Sequence, residues 1–162
     1  MSDELVVERD GNVLLMRLNR PEKRNALNFA VMDGIGRAVI EAESDPEIRA
    51  VVITGTGDRT FCAGMDLKEF AAGGTSSDPD AAEAFSRFID NAATVPIVGA
   101  ANASAFGGGL EVLLGCDVIV ASSAAQFGLP EVKRGLFPGG GGTAIGRRIP
   151  YGAALELLLT GD

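Results

Sequence analysis

Two glutamates stand out because of what surrounds them. Glu111 lies in Gly107-Gly108-Gly109-Leu110-Glu111-Val112-Leu113-Leu114, an apolar run that opens on glycines. Burying a carboxylate there costs several kcal/mol unless it is paired, capped or put to use. A place in the first helical turn offsets part of that cost through the helix dipole, so a capping role is the plain alternative. Glu131 follows Phe127-Gly128-Leu129-Pro130. Proline fixes the backbone and can aim the next side chain inward, although taken alone Glu131 reads as a surface residue. Together, two carboxylates on rigid turns can divide acid and base work if burial pulls their pKa values apart. The turns offer a second kind of chemistry. A helix start presents unpaired N–H groups with a partial positive charge, and two of them aimed at one oxygen make an oxyanion hole. Gly107-Gly108-Gly109 has this layout, and so does Cys62-Ala63-Gly64-Met65-Asp66. Tight packing turns are the competing reading for both.

Composition removes other chemistries. The 162 residues contain no His, so a Ser-His-Asp triad, a Cys-His dyad and His-ligated zinc are excluded. Two cysteines, Cys62 and Cys116, cannot build a Cys₄ site, and both sit in apolar stretches that suit buried free thiols. Glycine is abundant at 22 residues, yet no Gly-Lys pair exists for a Walker A loop and no segment matches G-x-G-x-x-G. The net charge of −8 leaves no basic face for nucleic acid. The stretch 95–121 is interrupted by Asn102, Glu111 and Asp117, which makes a poor membrane span. The acidic start, Met1-Ser2-Asp3-Glu4-Leu5, lacks a signal-peptide pattern, so a cytoplasmic location is expected. Asn102-Ala103-Ser104 matches a glycosylation sequon that carries no weight in that setting.

The elements that must position these groups alternate. Leu5–Glu8 and Val13–Leu18 around Asp10-Gly11-Asn12 read as a hairpin. Asn28 is placed to cap a helix whose apolar residues Val31, Met32, Ile35, Ala38, Val39 and Ala42 recur at three and four, ending at Asp45-Pro46. Residues 50–54, 97–101 and 117–121 read as buried strands. Asp66–Phe70 is expected to form a helical turn, and residues 73–80 a mobile surface loop. A second amphipathic helix opens at Asp80 with Phe85, Phe88 and Ile89 on one face. Ala125–Phe127 reads as a short strand. The glycine run 139–142 feeds another helical stretch, and 151–159 is helical. Alternating strands and helices predict one α/β domain over 1–162.

The motifs Leu18-Asn19-Arg20-Pro21 with Asn25-Ala26-Leu27, Phe61-Cys62-Ala63-Gly64-Met65-Asp66-Leu67, Gly107-Gly108-Gly109-Leu110-Glu111, Phe127-Gly128-Leu129-Pro130-Glu131 and Pro138–Thr143 occur in one order along the whole chain. In this the chain resembles the enoyl-CoA hydratase/isomerase (crotonase) superfamily. The resemblance implies a crotonase-like spiral of ββα units and an acyl-CoA thioester substrate, with no separate cofactor and no metal because CoA is part of the substrate. It maps the oxyanion donors onto the Met65 and Gly108 N–H groups. It maps the two hydratase glutamates onto Glu111, helping to activate water, and Glu131, delivering a proton. Lys23, Arg24, Ala26, Ala63, Gly64, Asp66, Leu67 and Lys68 fall where members meet CoA, and the 72–80 loop borders the acyl pocket as a gate. Leu129 stands where familiar hydratases carry a glutamine. Hydration of a 2-enoyl-CoA is the expected reaction, with isomerisation or plain acyl-CoA binding as alternatives. Members continue past Asp162 into helices that cover the site and build trimers. Those helices are not in this sequence; if nothing follows Asp162, exposed apolar surface and weakened or altered assembly are expected, and a homotrimer or hexamer if a full-length chain exists.

Overall fold

The computed structural model describes residues 3–162; Met1 and Ser2, part of the acidic start, lie outside the described residues. The chain winds as a spiral. Its first turn is β1 (Leu5–Asp10), β2 (Val13–Leu18) and α1 (Phe29–Ser44). The second is β3 (Ala50–Gly55), β4 (Thr60–Cys62), α2 (Leu67–Ala71) and α3 (Pro79–Ile89). The third is β5 (Ile97–Ala101), β6 (Ser104–Phe106) and α4 (Gly108–Leu114). Then come β7 (Val118–Ala121) and β8 (Phe127–Gly128), 3₁₀ turns over Pro130–Arg134 and Gly142–Arg147, and α5 (Tyr151–Thr160).

Each of the later turns gives one strand to each of two sheets. The larger sheet has the order β1-β2-β3-β5-β7 and the smaller β4-β6-β8. Only β1 and β2 are antiparallel, joined by the tight Gly11-Asn12 turn; the rest of the larger sheet and all of the smaller are parallel. Parallel neighbours require long crossovers, and the helices supply them.

The expected helix over residues 29–44 forms as its spacing dictates. The Asn28 side chain accepts from the Val31 N–H at 2.9 Å, which satisfies one of the orphan donors at the helix start. Val31, Ile35, Ala38, Val39 and Ala42 are buried beneath it. Full burial of a Val or Ile contributes about 1.5–3 kcal/mol each. α1 crosses α3 so closely that a Cβ on Gly36 would sit 1.9 Å from the Ala81 carbonyl oxygen. Both cysteines are free and buried, and burial pushes each thiol up to about 12.

Four expectations are corrected. β7 is not a buried strand: it is the last strand of the larger sheet, and Val118 and Val120 are more than half exposed. Its apolar residues therefore face solvent along an edge. The second helix begins at Pro79, one residue before Asp80, because Asp78 takes the cap and accepts from the Ala81 N–H. The strand expected over 125–127 is displaced to Phe127–Gly128, where it pairs with β6. The 73–80 loop is tied down. Buried Asp33 of α1 accepts from Ser76 Oγ at 2.6 Å, Ser77 N at 3.1 Å and Ser77 Oγ at 3.1 Å. Phe137, Tyr151 and Leu159 are exposed by 73%, 72% and 70%. Among the described residues no helix is long and apolar enough to cross a membrane.

Candidate active site

The three strands of the smaller sheet each end in a turn, and the three turns converge. β4 runs into Ala63-Gly64-Met65, β6 into Gly107-Gly108, and β8 into Leu129-Pro130-Glu131. Between them lies a cavity of about 400 Å³ whose wall includes Met65, Gly108, Glu111, Glu131, Phe85 and Ile89.

The Met65 turn is held by a bridge to Leu27, in the segment after a 3₁₀ turn over Pro21–Lys23. The Leu27 N–H donates to Gly64 O at 2.8 Å, and the Asp66 N–H donates to Leu27 O at 2.7 Å. The Gly64 carbonyl and the Met65 N–H belong to one trans peptide, so the bond from Leu27 turns the Met65 N–H to the opposite side. Gly108 is the first residue of α4, so its N–H has no intrahelical acceptor. The two turns touch: a Cβ on Gly108 would lie 3.5 Å from Met65 N. Gly64 makes this approach possible, with φ of +100° and its missing Cβ only 3.0 Å from the Phe106 carbonyl oxygen.

Glu111 projects from the first turn of α4 and is 8% exposed. The Gly142 N–H donates to its Oε1 at 2.9 Å. Its other oxygen lies 2.9 Å from where a Cβ on Gly140 would be, so the 139–142 run wraps the carboxylate with bare backbone. Burial raises the pKa of Glu111 above its ordinary value. The Gly142 bond works against this, and the negative charge of Glu131 adds to it. Glu131 enters from the 3₁₀ turn after β8. Its Oε1 lies 3.0 Å from the position of a Cβ on Gly107. Its Oε2 is buried without a hydrogen-bond partner among the described residues.

The residues expected to meet CoA are divided. Lys23, Ala26, Asp66, Leu67 and Lys68 share an open depression beside Met65. Ala63 and Gly64 line the glutamate cavity instead. Arg24 lies apart from both, with Arg59 and Thr56 around a separate polar hollow. The Asp66 side chain caps α2 and contacts Arg20. Burial acts to raise its pKa, but the Arg20 bond, the Glu69 N–H and the nearby positive charges hold it below the usual carboxylate range. No residue from 72 to 80 lines the cavity, so the gate expected there is not at its wall; the Asp33 tether holds that loop against α1. Leu129 is wholly buried and does not line the cavity either.

The sequence alone did not single out Phe85 and Ile89 as cavity wall, nor the 139–142 run as the cradle of Glu111. The glycine run was the available signal, since bare backbone lets a buried carboxylate approach closely.

The family model described as enoyl-CoA hydratase/isomerase matches residues 8–162. The chain belongs to the enoyl-CoA hydratase/isomerase family. It is 41% identical over 161 residues to a probable enoyl-CoA hydratase of Mycobacterium bovis, which covers 98% of this chain and 62% of the relative. A crystal structure of an enoyl-CoA hydratase from Mycobacterium tuberculosis superposes with a TM-score of 0.90 at 41% identity, over 99% of this chain and 63% of that one. A carnitinyl-CoA dehydratase from Mycobacterium avium gives 0.91 at 47% identity, over 99% and 64%. The chain thus spans about three fifths of the length of the relatives it matches. The α/β spiral of this chain is the fold of these family members.

Proposed function

We propose that the protein adds water to the 2,3 double bond of a 2-enoyl-CoA, giving a 3-hydroxyacyl-CoA. One observation carries the reading. Two carboxylates from different elements face one largely apolar cavity, at the place where two turns bring the Met65 and Gly108 N–H groups together, neither of which donates to a loop or turn backbone acceptor among the described residues. The relatives named as hydratases support the same class.

In this mechanism the thioester carbonyl oxygen sits between the Met65 and Gly108 N–H groups. They stabilise the negative charge that gathers on it as water attacks C3. Donors fixed in place before reaction pay no reorganisation penalty, and losing one typically slows turnover by about 10²–10³-fold. Glu111 takes a proton from the attacking water. Its raised pKa makes it a stronger base than an ordinary carboxylate, provided the pH keeps it ionised. The C2=C3 electron pair passes into the enolate, which collapses by taking a proton at C2 from Glu131. Oε2 of Glu131, which has no hydrogen-bond partner among the described residues, is the atom suited to that transfer. Proton exchange with solvent then resets both carboxyls. Lys23 and Lys68 meet the CoA phosphates across the depression beside Met65, and Ala26 and Leu67 flank it.

The test is loss of the conjugated-thioester absorbance of crotonyl-CoA, with oxygen from labelled water entering the product. Glu111→Gln and Glu131→Gln each reduce turnover at least 100-fold in this reading. Unchanged turnover in both variants refutes it. Conversion of 3-enoyl-CoA with no label incorporated assigns the site to isomerisation instead.

A further inference from the structure

Arg20 is 2% exposed, and nothing in its sequence position gives it a catalytic role. Its guanidinium is among the most deeply buried charges in the molecule, and its contacts are specific. Nη1 donates to the Ala26 carbonyl oxygen at 2.6 Å, and Nη2 donates to Asp66 Oδ2 at 3.0 Å. Glu4 lies 2.9 Å from Nε but off the axis that a hydrogen bond needs, so it supplies charge without a directed bond. The backbone of Arg20 is also fixed, because its N–H donates to Asn25 Oδ1 at 3.0 Å.

The two bonded partners have one thing in common. Ala26 immediately precedes Leu27, and Asp66 immediately follows Met65. Leu27 and Met65 are the two residues of the isolated parallel bridge that sets the Met65 turn. Arg20 therefore grips both strands of that bridge, one residue from each bridging position. Asp66 is held at the same time as the cap of α2, whose Glu69 N–H it accepts at 3.5 Å. Such a clamp fixes the direction of the peptide plane between Gly64 and Met65. A bidentate, planar donor suits the task better than an ammonium, which offers a point charge without a fixed fork.

We propose that Arg20 is a positioning residue that orients the Met65 N–H as an oxyanion donor, by clamping Ala26 and Asp66 on either side of the Leu27–Met65 bridge. The inference rests on the function proposed above. It adds that the strength of carbonyl polarisation is set by a residue that does not touch the substrate.

The experiment uses the full chain and 2,4-hexadienoyl-CoA, a conjugated thioester whose absorbance shifts to longer wavelength when its carbonyl is polarised. The first measurement is that shift on binding to the unaltered protein. Its absence overturns the hydratase reading, and this proposal with it. If the shift is present, Arg20→Lys is compared. The expected result is a folded protein that binds the thioester within about threefold of the original, loses most of the shift, and turns over crotonyl-CoA about 10–100-fold more slowly, with KM little changed. A role confined to stability would lower the melting temperature and leave both the shift and kcat of the folded fraction intact; that result overturns the proposal. If Arg20→Lys does not fold, Asp66→Asn decides. It keeps a side-chain cap for α2 and removes the charge that Arg20 holds. A reduced shift there supports the clamp, and a full shift overturns it.

Discussion

Adding one methyl group at Gly109 tests the site geometry without touching a reacting atom. Gly109 follows the proposed donor Gly108, and its missing Cβ faces Cys62, three residues before Met65. A Cβ there would lie 2.4 Å from the Cys62 carbonyl oxygen, 2.7 Å from its Cβ and 2.8 Å from its carbonyl carbon. Carbon and oxygen pack at about 3.5 Å, so α4 and the end of β4 must separate by about 1 Å. Neither side yields easily: Cys62 and Ala105 are wholly buried, and β4 pairs with β6, which leads directly into α4. The separation falls between the two turns that carry the Met65 and Gly108 amides. An oxyanion donor acts at about 2.7–3.1 Å, so a displacement of this size removes most of one donor, worth about 10²–10³ in turnover. Overpacking destabilises by about 1–3 kcal/mol in addition. The assay is hydration of crotonyl-CoA by Gly109→Ala at a temperature where circular dichroism shows it folded. Gly152→Ala is the control. Its Cβ in α5 would meet nothing within 4 Å, so it should leave turnover unchanged and stabilise by up to about 1 kcal/mol. A folded Gly109→Ala with turnover within threefold of the original refutes the reasoning.

Other outcomes follow from the same structure. The raised pKa of Glu111 places the acid limb of kcat/KM above the ordinary carboxylate value of 4.5, with activity falling as pH drops and the base is protonated; a pH–rate profile with its limb at or below 4.5 contradicts this. Glu43 is lowered to about 2, first by its hydrogen bonds from Arg87 and also by the Thr94 N–H, with burial opposing. Its contribution to stability is therefore complete above about 4.5 and fades as pH falls towards 2, and Glu43→Gln should lower the melting temperature at pH 7 but not at pH 2. Asp33→Ala should release Ser76 and Ser77, so that limited proteolysis cuts within 73–80 while the rest of the chain stays resistant.

Local pattern carried a reader of the sequence a long way. The period of α1, the Asn28 cap and the first hairpin each depend on neighbours a few residues apart, and each formed as expected. β7 failed because four apolar residues in a row do not reveal whether a further strand will cover them; here the sheet ends and Val120 is 61% exposed. β4 and β6 were missed because three residues are too few to show a period. Glu111 announced itself by its apolar neighbours. Glu131 did not, because its surroundings are built by Gly107, far away in the chain. The Arg20–Asp66 pair spans 46 residues and leaves no local trace, since an arginine in a polar loop looks like any solvated charge.

The smaller sheet has a consequence for how such a site can change. Neighbouring strands lie about 4.8 Å apart whatever their side chains, because backbone hydrogen bonds set the distance. β4, β6 and β8 hand on to the Met65 turn, the Gly108 turn and the Glu131 turn in order across that sheet. The spacing between these turns is therefore ruled by the backbone and survives replacement of almost any residue on them. Met65 itself is 38% exposed and offers only its amide to the proposed chemistry, so its side chain is free to drift. A lineage built on this frame can exchange acids and pocket walls one at a time while the two turn amides stay in register.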